Sequence, residues 1–284
     1  MTKTIDTLVD DILGLFKAPH SADERNVRHF ADSLASIVAG RLAEDRSNEE
    51  RALRMSNLGK RDRQLWYDLR EGNLREDLPP DARIKFLFGD ILEALLLFLA
   101  REAGHAVEDE QKEVEVNGVL GHIDAIIDGV VVDVKSASTF SFKKFRNNEL
   151  AENDPFGYYE QLAGYATACG NLDGAFLAID KTLGHITLLK VDKEELQKLK
   201  TSDRVDHLRA VLASDVPPDR CYKPVEHGSS GNMKLDIGCS YCSHKFHCWS
   251  DVNDGIGLRS FLYASGPVHL TKVVNEPKVN EITF

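Results

Sequence analysis

The segment from Gly121 to Lys135 (GHIDAIIDGVVVDVK) constrains this chain more than any other. Asp128-Gly129 lies between β-branched runs and is a strong two-residue turn signal. If those two residues form the loop, Ile127 faces Val130, and counting outward places Asp124 opposite Asp133. Side chains alternate along a strand. One face then carries Ile123, Ala125, Ile127, Val130, Val132 and Val134, all apolar. The other carries His122, Asp124, Ile126, Val131, Asp133 and Lys135. Two carboxylates directly across a strand pair sit roughly 5 Å apart at Cβ and repel each other. A hard cation between them, Mg²⁺ or Mn²⁺, relieves that repulsion. Lys135 is on the same face as Asp133 and could orient a water or stabilise developing negative charge. The bland alternative is a solvated face with a surface Asp-Lys pair.

The chain has 284 residues, enough for one large domain or two small ones. Its 42% hydrophobic content with interleaved charge indicates a globular protein. The acidic, amphipathic start predicts no signal peptide. The longest apolar run, Ala94 to Ala100, is too short to span a bilayer, so a cytoplasmic location without membrane attachment is expected. A net charge of −11 argues against coating nucleic acid by bulk attraction. Basic residues are local: Arg51 to Arg70 in one stretch, and Lys143, Lys144 and Arg146 in another. No glycine-rich phosphate loop is present, which speaks against an ATP site.

Helical periodicity covers residues 4–17 and 22–45, an N-terminal helical layer. Pro79-Pro80 breaks the chain, and a helix is expected from about Asp81 to Ala103, stopped by Gly104. It is apolar on nearly all sides and is expected to be largely buried, with Glu93 in its middle needing a partner. Residues 108–117 read as a strand leading into the hairpin, 156–169 as a helix, 174–180 and 185–191 as strands, and 192–213 as a charged helix. Residues 251–284 are weakly patterned, with one strand or a loosely docked tail expected. The order predicts an α+β (mixed α/β) fold with a central mixed sheet flanked by helices. The expected division is an N-terminal helical region (1–78), a core (79–215) and a Cys-rich C-terminal region (216–284).

On the 156–169 helix, Gln161 and Tyr165 lie four residues apart and share a face, with Tyr158 three residues before Gln161. Four pieces occur in order: Gly89 to Glu93 (GDILE), Gly121 to Asp124 (GHID), Asp133 to Lys135 (DVK) and Gln161 to Tyr165 (QLAGY). Together they resemble the PD-(D/E)xK nuclease superfamily, specifically its RecB/Cas4-like exonuclease branch, over about residues 56–250. The resemblance implies a restriction-endonuclease-like core. Glu93, Asp124, Asp133 and the backbone carbonyl of Val134 would be Mg²⁺ or Mn²⁺ ligands, and Lys135 would position the attacking water. Gln161 and Tyr165 would hold DNA and orient the site. The implied activity is a metal-dependent deoxyribonuclease, most simply an exonuclease of DNA replication, recombination, repair or phage DNA metabolism. Its partners would be DNA with a single-stranded end and recombination or replication proteins. The rivals are a structure-specific or restriction-type endonuclease, a nuclease acting on RNA, and a non-catalytic DNA-binding protein that retains the fold.

Five cysteines in such a chain suggest metal binding over disulfides. Cys239, Cys242 and Cys248 form C-x2-C-x5-C, the spacing that Cas4-like and AddB-like nucleases use for a [4Fe–4S] cluster. The upstream cysteine of that pattern is missing, since Gly59 to Arg63 reads GKRDR. Cys221 could stand in as fourth ligand, which suits Zn²⁺ equally, and His227, His244 and His247 are other candidates. Cys169 reads as a core residue. Arg61, Arg63 and Trp66, with Tyr158, Lys143 and Lys144, are candidates for contact with a nucleic-acid strand. Trp66 reads equally well as a core anchor.

Overall fold

The computed structural model describes residues 3–43, 51–71, 80–152 and 154–283. Pro79 of the expected Pro79-Pro80 break and the last two residues of the helix expected at 22–45 lie outside them. The helices are α1 (Leu8–Gly14), α2 (Glu24–Ala43), α3 (Asp62–Arg70), α4 (Pro80–Glu102), α5 (Thr139–Arg146), α6 (Tyr158–Ala168), α7 (Lys193–Gln197), α8 (Thr201–Ala213), α9 (Ile237–Ser240) and α10 (Lys245–Cys248). The strands are β1 (Val107–Glu108), β2 (Glu113–Val116), β3 (Val119–His122), β4 (Ala125–Ile127), β5 (Val130–Ala137), β6 (Gly174–Asp180), β7 (Ile186–Val191), β8 (Val225–Glu226), β9 (Met233–Lys234), β10 (Arg259–Tyr263), β11 (Gly266–Lys272) and β12 (Glu281–Ile282).

The chain forms two compact units, one of residues 1–59 and 78–207, the other of 60–77 and 208–284. The first holds a five-stranded sheet in the order β1-β4-β5-β6-β7. Its β5 and β6 run parallel, joined through α5 and α6, and the other pairs are antiparallel. This is the α+β class expected, a mixed central sheet with helices against it. Asp128 and Gly129 both take positive φ, 50° and 85°, which a tight hairpin turn requires, and Ile127 pairs with Val130 as expected. Ala125, Ile127, Val132 and Val134 join Leu8, Ile12, Leu96, Leu97 and Ala100 in one apolar core. The apolar face read from the sequence therefore packs under α1 and the C-terminal half of α4.

Two expectations for this unit change. The strand leading to the turn is broken at Ile123-Asp124. β3 pairs with β2 in a separate two-stranded sheet, and only β4 pairs with β5. Helix α4 is not buried throughout: Ile84, Phe86 and Phe88 are 52%, 45% and 54% exposed. Only its Leu96-Leu97-Ala100 end is fully enclosed, with Phe98 stacked on Phe30 of α2 at 4.9 Å. The charged helix expected over 192–213 is split into α7 and α8, with Lys200 at φ 48° between them.

The second unit has its own five-stranded sheet, β12-β10-β11-β9-β8, beside α3, α9 and α10. The stretch after residue 251 is therefore a β10–β11 hairpin with β12 on its edge, not one strand or a tail. Leu235, Cys239 and Trp249 form a small apolar core there. Among the described residues no helix is long and apolar enough to cross a membrane.

Candidate functional site

The site forms in the first unit, where the strand break frees Asp124 from the ladder. The last β4–β5 pair is Ala125 with Val132. One residue further, Asp124 Oδ2 accepts the Val134 N–H at 2.6 Å. Asp133 is only 1% exposed, and its Oδ1 is buried without a hydrogen-bond partner. Lys135 Nζ stands 2.6 Å from Asp133 Oδ2 and 4.6 Å from the centre of the Tyr158 ring. Tyr158 in turn stacks on Phe145 and Phe156, which fixes the ring. Glu93 enters from α4, and its Oε1 accepts from the Gln111 side-chain amide at 2.6 Å.

The electrostatics bind these groups into one cluster. Burial, followed by the charges of Asp133 and Asp90, pushes Glu93 up to about 7. Burial, with the charges of Asp133 and Glu93, holds Asp124 well above the usual carboxylate range. Burial also raises Asp133, against the pull of Lys135. Burial opposes the charge on Lys135, yet the Asp133 and Asp124 carboxylates outweigh it and shift the ammonium upward. Three mutually repelling acids around one cation leave an excess of buried negative charge. Such an excess is what a hard divalent cation relieves. Among the described residues, no three His, Cys, Asp or Glu side chains are already gathered closely enough to hold a metal ion. Each carboxylate is instead engaged by its own neighbour: Val134 N–H, Lys135 or Gln111.

The α6 residues complete this wall. Gln161 Nε2 donates to Tyr165 Oη at 3.1 Å, one helical turn apart, and burial pushes Tyr165 up to about 12. Gly121 makes room for that ring. A Cβ there would lie 2.7 Å from Tyr165 Cε1 and 2.8 Å from Met55 Cβ. Gly157, at φ 72°, opens α6, and its backbone touches Gly59 closely enough that neither position tolerates a side chain. Asp154 accepts the N–H groups of Gly157 and Tyr159, securing the entry to the helix.

Sequence reasoning missed Gln111, Asp154 and Gly157. Gln111 and Asp154 lie outside the regular elements, where no periodicity marks them, and Gly157 fell inside the helix expected at 156–169 but precedes the observed one; Gln111 also takes an unusual positive φ of 52°. A cavity of about 570 Å³ between α2 and α4 reaches Glu93 and Gln111, with Arg41 and Arg101 on its wall. Lys143 points outward from α5, whereas Lys144 lines a different cavity beside Lys135.

In the second unit, Cys221, Cys239, Cys242 and Cys248 line one small cavity together with His244. Burial pushes the thiols of Cys239 and Cys242 up to about 12 and about 11, and the neighbouring sulfurs add to this. Arg63 Nε donates to Cys248 Sγ at 3.1 Å. His244 Nε2 pairs with Asp68 at 2.8 Å, and its Nδ1 is buried without a partner. Thiols and an open imidazole nitrogen around one space are donors of the right chemistry for zinc or iron–sulfur. His247 and His227 are not among the residues lining that cavity; their rings lie against Tyr67 and Tyr263.

Trp66 is corrected here as a surface for stacking bases. It is 3% exposed, and its indole N–H donates to the Ser214 carbonyl, so the ring is a core anchor. Arg63 is likewise committed inward, to Cys248, Pro218 and Tyr67. Arg61 lies over the Tyr222 ring.

No protein-family model matches the chain, and no curated protein does. Solved structures show partial likeness. SSO0001 is 18% identical, with 75% of this chain and 93% of that chain covered and a TM-score of 0.42. An alkaline exonuclease (LHK-Exo) from Laribacter hongkongensis is 17% identical, covering 66% of this chain and 94% of that chain, with a TM-score of 0.32. A phage related exonuclease from Haemophilus somnus 129PT is 12% identical, covering 75% and 93%, with a TM-score of 0.29.

Proposed function

We propose that this chain is a metal-dependent nuclease of the PD-(D/E)xK type, with a restriction-endonuclease-like core and DNA as substrate. The observation that carries this reading is the cluster of half-buried Glu93 and Asp124 with buried Asp133 around Lys135, Asp133 Oδ1 being unsatisfied. The three carboxylates and the Val134 carbonyl would hold Mg²⁺ or Mn²⁺, once the side chains turn from their present partners. When bound, such an ion polarises a scissile phosphate and lowers the pKa of a water.

The protein's own groups do the rest. Lys135, kept charged by Asp133 and seated on the Tyr158 ring, orients the attacking water and offsets charge on the phosphate. The water oxygen bonds to phosphorus as the bond to the leaving sugar oxygen breaks, so no covalent enzyme intermediate forms. Gln161 and Tyr165, locked to each other, position the strand beside the carboxylates. A free end threading to this site suits an exonuclease of the RecB/Cas4-like branch, working with replication or recombination proteins. The cysteine cluster would be a structural Zn²⁺ or [4Fe–4S] site.

The test is degradation of end-labelled linear DNA against closed circular DNA and RNA, with Mg²⁺ or Mn²⁺ and with EDTA. Metal-dependent loss of the linear DNA alone is expected. Cutting of the circle assigns an endonuclease, preference for RNA overturns the substrate class, and inertness toward every substrate overturns the enzyme.

A further inference from the structure

A second cavity opens beside Lys135. It measures about 240 Å³, roughly eight water volumes, and is lined by Lys135, Lys144, Lys181, Ser138, Ser141 and the exposed ring of Phe156. Its charged lining residues are all cationic, in a chain whose net charge is −11. No carboxylate among the described residues lines it.

The fold builds this arrangement from the ends of two parallel strands. Lys181 N–H donates to the Ala137 carbonyl, which keeps the end of β6 beside the end of β5. Asp180, fully buried, fixes the loop that follows. Its Oδ1 accepts from Thr139 Oγ1 and from the N–H groups of Thr182 and Leu183. Ser138 caps α5, accepting the Ser141 N–H, so the positive end of that helix also faces the same region. Lys144 and Lys181, next to a Lys135 whose ammonium is shared with Asp133, together with the hydrogen-bonded Ser138 and Ser141 hydroxyls and a helix start around one small space, are matched to a phosphate.

We propose that this cavity binds a non-scissile phosphate of the nucleic-acid strand and so fixes which bond reaches the carboxylate cluster. Lys135 and Tyr158 line the cavity and also form the site, so a phosphate held there lies within a link or two of the one attacked. This inference rests on the nuclease reading and sharpens it: Lys144 and Lys181 become the residues that set register. Nothing in the sequence marked Lys181, which follows a strand with no motif around it.

The experiment measures binding of single-stranded oligonucleotides to the full chain in Ca²⁺, so that cleavage is not required. One linkage at a time is replaced by a neutral methylphosphonate, and a parallel series carries a terminal phosphate or a terminal hydroxyl. Wild type is expected to lose about tenfold in affinity at one position, near the Lys135 end of the path. Sensitivity to the terminal phosphate instead of an internal link assigns the cavity to the strand end. Lys181→Ala should flatten that position and lower the salt dependence by about 0.7, the value of one phosphate contact on a single strand. Lys181→Arg should restore both, which excludes misfolding as the cause. The proposal is overturned if wild type is indifferent to every linkage and terminus, or if Lys181→Ala keeps the wild-type profile. A Lys181-dependent profile in a protein that cleaves nothing would sink the nuclease reading and leave the pocket. Cleavage with an indifferent profile would do the reverse.

Discussion

Asp124 Oδ2 accepts the Val134 backbone N–H at 2.6 Å, so a side chain replaces a backbone carbonyl at the point where the β4–β5 ladder ends. That one contact turns a hairpin into a site. Beyond it the preceding strand pairs in another sheet, and the Asp124 carboxylate lies within electrostatic reach of Asp133. Asp124→Ala should remove both the acceptor and a candidate ligand. Asp124→Asn keeps the shape and the acceptor oxygen. The expected outcome is that Asn folds with near wild-type stability and Ala loses about 1–3 kcal/mol, measured by urea unfolding. Cleavage should be lost in both.

Stability of the metal-free protein should fall as pH rises through the weakly acidic range. Glu93 has an ordinary value of 4.5 and a folded value of about 7. Between those values the folded state binds more protons than the unfolded state, so its stability declines with increasing pH. Asp124 and Asp133, also shifted upward, act in the same direction. Thermal melts in EDTA at pH 5 and pH 8 should show the lower midpoint at pH 8. Glu93→Gln should shrink the difference, and so should added Mn²⁺ at pH 8. A midpoint that rises across this range contradicts the buried acidic cluster.

Gly121→Ala tests the packing that seats Tyr165. The added Cβ would lie 2.7 Å from the ring and 2.8 Å from Met55, nearer than real Cβ atoms approach, so something must shift. Overpacking of this kind costs about 1–3 kcal/mol. Activity should fall more than stability implies, because the Gln161–Tyr165 pair moves with the ring. Full activity in Gly121→Ala would show that this pair does not position the strand.

The cysteine cluster should carry metal. Protein purified without chelator should show about one zinc by metal analysis, or visible iron–sulfur absorption. Cys242→Ser should lower both the metal content and the thermal midpoint. Five thiols titrating freely in the native protein, with neither metal present, would argue for plain buried cysteines.

The hairpin turn, the α+β class and most helix and strand positions were legible because each rests on local chemistry. Asp128-Gly129 is a local turn signal that tolerates positive φ, and the Ala125–Val134 alternation separates an all-apolar face from one that carries the charges, although the structure buries both faces of β5. The strand break was not legible, since alternation runs unbroken through Ile123 and Asp124 and only the Val134 N–H reveals the switch. The second sheet was hidden because β8, β9 and β12 span two residues each and β11 opens Gly266-Pro267. Too little pattern exists in such strands to register. Helix α4 misled in the other direction: its apolar composition predicts burial all round, yet Phe86 and Phe88 face outward. Trp66 could not be sorted between core and surface from its basic neighbours, because arginines also cap buried rings, as Arg70 does over Trp66. Lys144 was legible as a cation, but its cavity required Lys181, contributed from the end of β6.

The most direct measurement is single-turnover cleavage of end-labelled linear DNA in Mn²⁺ by wild type, Asp133→Asn and Lys135→Met, each first checked for folding by its thermal midpoint. The expected result is cleavage by wild type alone, with both variants reduced by about a hundredfold or more. Folded Asp133→Asn and Lys135→Met proteins that cut as fast as wild type would contradict a catalytic role for this cluster.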